Sequence, residues 1–359
     1  MKILDRYIIR KFLGTFFFML AIIMSIAVVF DISEKLEKFM KNDAPFSRIV
    51  LDYYVNFIFY YGNLFSSLLI FLSVLLFTSQ MAQRTEIVSI FAGGISFKRF
   101  LYPYFVGATI LVGVSLYFTH YQLPIANETR LAFEEEYLRQ QFSIKEKNLH
   151  RQYAPNAIAY FENFSPATNV GYRFSMEEWS NDGELKAKLF ADRARFDSTT
   201  GRWVIENYYI RTYTPQGENI KRGTKTDTLI TLLPKDFGQR TSVASTMGYK
   251  ELTDFIEAER KKGSDQTVHY EIEKHQRTSY PFATYILTII GVSIASRKNR
   301  GGTGAHLAVG VLIAVTYIFA MKVTTVAATN AGLNPLLAVW LPNIFYFFVS
   351  IYLYFRAQK

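Results

Sequence analysis

Phe12-Leu-Gly-Thr-Phe-Phe-Phe-Met-Leu-Ala-Ile-Ile-Met-Ser-Ile-Ala-Val-Val-Phe30 carries no charge over its whole length. A helix needs about 17–25 predominantly apolar residues to cross the ~30 Å hydrocarbon core of a bilayer, and this run supplies them. Five more uncharged runs follow at Tyr53–Phe77, Phe100–Thr119, Ser279–Ser296, Ala305–Met321 and Leu336–Phe355. Between the third and the fourth lies a mostly polar insert from Gln122 to Thr278. The pattern predicts a polytopic α-helical membrane protein with a 3 + 3 arrangement. Its domains are a first bundle at 1–121, an inserted soluble domain at 122–278 and a second bundle at 279–359. Charged residues, not a small-residue cleavage site, follow the first run, so it reads as a retained helix and not as a cleaved signal.

Charge gives the arrangement a direction. With the N-terminus in the cytoplasm, the segments on that side are 1–11, 78–99, 297–304 and 356–359. They carry twelve basic residues, including Lys98, Arg99, Lys298, Arg300 and Lys359, against Asp5 and Glu86 alone. That excess equals the formal net charge of +10 for the entire chain. Positive charge concentrates on cytoplasmic loops, so both termini are expected inside and the insert outside. The basic balance is therefore a topology signal and predicts no nucleic-acid partner. With no cysteine in the chain, disulfides and thiolate metal sites are excluded.

Within the insert, residues from about 140 to 235 read as β-rich. Ala187–Phe196 and Trp203–Tyr213 are strand-length runs joined by Asp197-Ser-Thr-Thr-Gly201, a stretch of turn formers. Further runs at Ala157–Glu162, Gly171–Trp179 and Thr226–Leu233 bring the count to six or more short strands, which argues for a sandwich, jelly roll or barrel. Trp203, Ile205 and Tyr209 make one candidate inner wall, and Tyr208, Ile210 and Thr212 the other. Helical patterns flank the strands at Asn127–Arg139, Gly248–Lys262 and Tyr270–Arg277, and the Glu134–Glu136 triplet reads as a solvated helix face.

The loop between the second and third spans, about 84–97, predicts a short helix from Thr85 to the Gly93-Gly94 pair. Ile87, Ile90 and Phe91 fall at i, i+3 and i+4 and form one apolar stripe, flanked by Arg84 and Glu86. Two readings compete: an interfacial helix lying in the headgroups, or a knob that docks into a partner's groove. Glu86 favours docking, since anionic lipid repels it.

Four segments together resemble the LptF/LptG family of lipopolysaccharide export permeases. They are Leu4-Asp-Arg-Tyr-Ile-Ile-Arg-Lys-Phe-Leu13, Glu86-Ile-Val-Ser-Ile-Phe-Ala-Gly-Gly-Ile-Ser96, the strand pair around Ala191-Asp-Arg-Ala-Arg-Phe196 and Gly201-Arg-Trp203, and Leu333-Asn-Pro-Leu-Leu-Ala-Val-Trp-Leu-Pro342. The resemblance spans essentially the full length, and the Leu-Asp-Arg-Tyr start is nearer the LptG branch. It implies an inner-membrane permease with a periplasmic jelly-roll-like domain. The implied partners are a paralogous LptF/LptG permease, a cytoplasmic LptB-like ATPase dimer, and LptC-like and LptA-like periplasmic jelly-roll proteins. On this resemblance the 84–97 element becomes a coupling helix seated in the ATPase. The residues agree in one respect: the chain has no Gly-x-x-x-x-Gly-Lys-[Ser/Thr] phosphate loop, so ATP would be bound by a partner and no cofactor is expected here.

A carrier of a phosphorylated lipid needs cations near the outer boundary of its cavity. Lys35, Lys38 and Lys41 follow the first span on about one side of a continuing helix. Asp31, Glu34, Glu37 and Asp43 surround them, so a solvated, self-paired helix is the competing reading. Lys322 closes the fifth apolar run and either snorkels to the interface or meets phosphate. The histidines and serines form no catalytic or metal-binding constellation, and three function classes follow: a transport subunit, an ATPase-coupled mechanotransmitting protein acting on an envelope partner through its outer domain, and, least supported, a membrane-bound enzyme.

Overall fold

The computed structural model describes residues 2–138, 147–166, 168–228, 230–237, 240–297 and 302–357. Lys298, Arg300, Gly301 and Lys359 lie outside these, as do residues 140–146 of the expected β-rich region.

The helices in chain order are α1 (Ile3–Lys41), α2 (Phe46–Arg48), α3 (Val55–Leu64), α4 (Ser66–Gln83), α5 (Glu86–Ala92), α6 (Phe97–Tyr117), α7 (Leu123–Phe133), α8 (Pro234–Phe237), α9 (Tyr249–Lys261), α10 (Thr267–Ala295), α11 (Gly302–Ala331) and α12 (Pro335–Ala357). Six helical stretches are long and apolar enough to cross a membrane: Ile3–Lys41, Ser66–Gln83, Phe97–Leu138, Thr267–Ala295, Thr303–Ala331 and Pro335–Ala357. At 1.5 Å per residue α1 is about 58 Å long, roughly twice a hydrocarbon core. The second expected span is interrupted at Phe65, which leaves helical geometry at φ −91° and ψ 0° and separates α3 from α4. A π-helical turn at Phe118–Gln122 joins α6 to α7, so the third span runs on past the expected boundary.

The chain divides into two compact units. One comprises Met1–Leu138, Ala244–Tyr249 and Val268–Lys359, and the other Arg139–Val243 and Lys250–Thr267. In the helical unit, Ile8, Phe12, Phe77, Phe100 and Tyr104 pack into one apolar cluster, while Phe71, Leu75, Leu287, Tyr317 and Tyr346 form a second. Gly107 permits the first: a Cβ there would lie 2.5 Å from the Phe12 ring, so only glycine lets α6 approach α1 this closely.

The second unit holds β1 (Leu149–Ala154), β2 (Ala157–Phe161), β3 (Asn163–Ser165), β4 (Val170–Trp179), β5 (Leu185–Asp197), β6 (Arg202–Thr214) and β7 (Gly217–Thr228). They form one antiparallel sheet in the order β1-β2-β4-β5-β6-β7, with β3 paired to β4. The last strand runs from Gly217 to Thr228 and not from the expected Thr226 to Leu233; apart from exposed Ile220, Gly217–Lys225 is polar and shows no alternation to read. Three strand spacings, about 14 Å in a flat sheet, separate β2 from β6. The rings of Phe161 and Trp203 on those strands are 5.4 Å apart, so the sheet is strongly curled around its aromatic core.

Neither expected wall faces the core along its whole length. Trp203 and Ile205 are buried and Tyr209 is 40% exposed, whereas Tyr208 from the opposite wall packs inward. The exchange falls at Asn207, whose φ of +52° turns the following side chain over. Arg173 in β4 has a φ of +50°, and the register places Arg173, Asp192 and Asn207 in one line across three strands. Inward positions change parity along that line on every strand: Gly171 gives way to Phe174, Ala194 to Ala191, and Ile205 to Tyr208. The line is a crease in the sheet.

Candidate functional site

Three groups of the residues singled out above lie in the helical unit. The first is α5 with the residues around it. Thr85 takes a left-handed conformation (φ +60°), which breaks α4 from α5. Ile87 is 1% exposed, and Ile90 and Phe91 pack on the cluster that holds Phe97 and Phe100. The apolar stripe therefore faces its own bundle, which corrects the expectation that it is displayed to headgroups or to a partner. The periodicity was real; the core that covers it comes from helices elsewhere in the chain. What α5 presents outward is Val88, 54% exposed, together with Ser89 and Ala92, next to exposed Arg84. Glu86 accepts a 2.8 Å hydrogen bond from the Tyr7 hydroxyl. Two residues before Tyr7, Asp5 accepts two hydrogen bonds from the Arg99 guanidinium, of 2.6 and 2.8 Å. These contacts tie the start of α1 to the elements on either side of the Gly93-Gly94 turn.

The second group lies beyond the apolar part of α1. Lys35 is spoken for: it pairs with Asp31 at 2.5 Å, hydrogen-bonds the Tyr53 hydroxyl and lies over the Tyr53 ring at 4.9 Å. Asp31 also accepts from Tyr53 and Tyr54 at 3.0 and 3.2 Å. Lys38 and Lys41 are exposed, and among the described residues neither forms an ion pair. The three lysines thus differ, and only Lys35 fits the self-paired reading.

Two arginines nearby were not anticipated. Arg130 is 7% exposed, ion-paired to Glu134 and placed 4.7 Å over the Tyr60 ring. Arg48 pairs with Asp52 at 2.9 Å and with Glu136 at 3.0 Å. Asp52 first, and then Glu136, hold the Arg48 guanidinium even more firmly protonated than usual. Two members of the Glu134–Glu136 triplet are thus ion-pair partners, where a solvated face was expected. The i, i+4 spacing of Arg130 and Glu134 was the available signal.

The third group surrounds Lys322. Phe65, at the break between α3 and α4, lines a cavity of about 250 Å³ whose walls include Leu68, Tyr280, Ala283, Tyr317 and Met321, with Ser67, Gln276, Lys322 and Thr325 as polar members. Lys322 itself is exposed and forms no ion pair among the described residues. On the cavity wall Ser67 donates to the Tyr280 carbonyl at 2.7 Å, and Tyr317 donates to Asn343 at 2.8 Å. Such a cleft, apolar on its walls with one unpaired cation, suits an amphiphile with an acidic head.

Residues 6–356 match the family described as "Lipopolysaccharide export system permease LptF/LptG". No curated protein matches the chain.

Proposed function

This chain belongs to the LptF/LptG family of lipopolysaccharide export permeases, and from that premise we propose that it is the transmembrane subunit of an ATP-driven exporter, drawing lipopolysaccharide from the inner membrane and passing it through a periplasmic β-domain. The observation that carries this reading is the unpaired Lys322 on the wall of an apolar cavity in a membrane-spanning bundle. Lys322 meets a lipid A phosphate, with Lys38 and Lys41 as further contacts and Lys35 reserved for Asp31.

The charge distribution supports cytoplasmic termini, which puts α5 on the side of an LptB-like ATPase dimer. The docking surface is then Val88, Ser89, Ala92 and Arg84, with Glu86 at its rim. The exposed sides of α1 and α11, including Phe17, Phe18, Leu312 and Phe319, offer apolar area for a paralogous permease. On the β-domain, β7 is hydrogen-bonded to β6 alone among the described strands, and its free edge suits strand addition by LptC-like or LptA-like jelly rolls. Phe161, Phe164, Trp203 and Phe237 fill the domain on one side of the crease. Acyl chains would follow the half beyond it, along partly buried Met176, Leu189 and Tyr208.

A photocrosslinker at Thr325, on the cavity wall, tests the reading in the assembled complex in lipopolysaccharide-containing membranes. Lipopolysaccharide adducts are expected, reduced several-fold by Lys322→Gln with Lys38→Gln and retained with arginine at both positions. Absence of adducts alongside intact ATPase coupling would leave the mechanotransmitting role in its place. For the docking face, Val88→Glu with Ala92→Glu should release the ATPase from a folded permease. Charge at Phe91 should instead disrupt the bundle.

A further inference from the structure

We propose that the chain carries a binding site for one anionic glycerophospholipid where α6 begins, apart from the substrate cavity. Two adjoining cavities form it. The first, about 500 Å³, is lined by Lys2, Asp5, Ser96, Lys98, Arg99 and Tyr102. The second, about 560 Å³, has walls from α6, α10 and α12, among them Leu101, Phe105, Ile289, Ile351 and Phe355. Lys98 and Tyr102 line both, so the two share a mouth.

The charges at that mouth are uneven. Asp5 is taken up by Arg99, while Lys2 and Lys98 form no ion pair among the described residues. The first cavity therefore has surplus positive charge. The start of α6 adds to it: Ser96 caps the helix by accepting from the Arg99 N–H, and the preceding N–H groups have no partner in the helix ladder. Along α6, Lys98, Leu101, Tyr102 and Phe105 follow one another at i, i+3, i+4 and i+7, so one helix face passes from cationic to apolar in about 10 Å. A phosphodiester at Lys98 and Lys2 with an acyl chain descending between α6 and α12 matches that gradient.

Charge discriminates among occupants: an apolar partner helix would leave the surplus cations of the first cavity unmet, whereas an anionic lipid meets them and fills the groove with its acyl chain. A free phosphate would leave the apolar groove unused. Lys322 lines neither cavity, so the site does not depend on the substrate reading.

The test is lipid titration of the purified full chain in detergent, read by native mass spectrometry, with dioleoyl phosphatidylglycerol and dioleoyl phosphatidylcholine as probes. One phosphatidylglycerol should be retained about tenfold more tightly than phosphatidylcholine, the size of one charge-assisted contact. Lys98→Gln should bring the two lipids within about twofold, Lys98→Arg should restore the preference, and Ile351→Trp should weaken both by filling the groove. Equal retention of the two lipids by the native chain, or a preference unchanged in Lys98→Gln, overturns the proposal. Displacement by glycerol 3-phosphate alone would also overturn it, since the acyl groove would then contribute nothing. Loss of the lipid when the partner permease binds would assign the groove to a protein helix instead.

Discussion

Asp5 is 1% exposed, whereas the Arg99 side chain that holds it is 35% exposed, and this asymmetry decides what each substitution does. Arg99→Met strands a buried carboxylate and should cost about 2–3 kcal/mol, the usual penalty for breaking a buried pair reduced for the exposed partner. Asp5→Asn frees a guanidinium that reaches water and should cost about 1 kcal/mol. Thermal unfolding in detergent checks the order, and a larger loss from Asp5→Asn would mean that solvent already screens the pair. In the β-domain, a Cβ on Gly171 would lie 2.1 Å from the Phe161 ring. Gly171→Ala should therefore lower stability by about 1–3 kcal/mol through overpacking. Neither position announced itself in the sequence. An acid near a helix start reads as a dipole partner, and a glycine in a strand reads as a weak point, until the facing residue is known. For Ile87, Ile90 and Phe91 the spacing was legible and the direction was not, since the same stripe serves a headgroup, a partner or the chain's own core.

Two elements owe their form to backbone and charge together. The crease needs a left-handed residue inside β6, which Asn207 supplies at modest cost and a β-branched residue cannot. Asn207→Val should destabilise the β-domain by about 1–2 kcal/mol, while Asn207→Gly should change it by only a few tenths. Equal effects in chemical denaturation would show that the conformation carries no strain. At the end of α9, Lys262 pairs with Asp236 at 2.6 Å and Glu259 at 3.2 Å. Burial alone would lower the Lys262 pKa, but the two carboxylates outweigh it and hold it above the ordinary 10.5. A folded value above the unfolded one stabilises fully below pH 10.5, and that contribution fades as pH rises through the folded value. Lys262→Met should thus cost about 2–3 kcal/mol between pH 7 and 10, and its gap to the native chain should narrow above pH 10.5. A gap that instead widens above that pH would reverse the sign argument. Strand positions β2, β4, β5 and β6 were readable from alternation and turn residues. The start of β7 was not, because an edge strand exposed on both faces has no period to read.

At the scale of the molecule, the aromatic core of the β-domain and the apolar clusters of the helical unit are separate sets of residues. Gly171→Ala and Lys262→Met should therefore shift one calorimetric transition, and Arg99→Met another. A single transition moved by all three would show the two units unfolding as one. The six spans, the 3 + 3 order, the uneven charge and the absence of a phosphate loop were determined by the sequence itself. Each is a sum or a pattern over residues adjacent in the chain, and the bilayer imposes it whatever the tertiary contacts. Only the tertiary structure decided which side of α5 faces out, where the β-domain turns its inner wall over, that Lys35 is paired while Lys322 has no ion pair among the described residues, and that Lys98 stands at the head of an apolar groove. Those are questions of direction and meeting. A helical or extended period says that residues share a face, but which face is covered depends on segments far away in the chain, and local patterning holds no record of them.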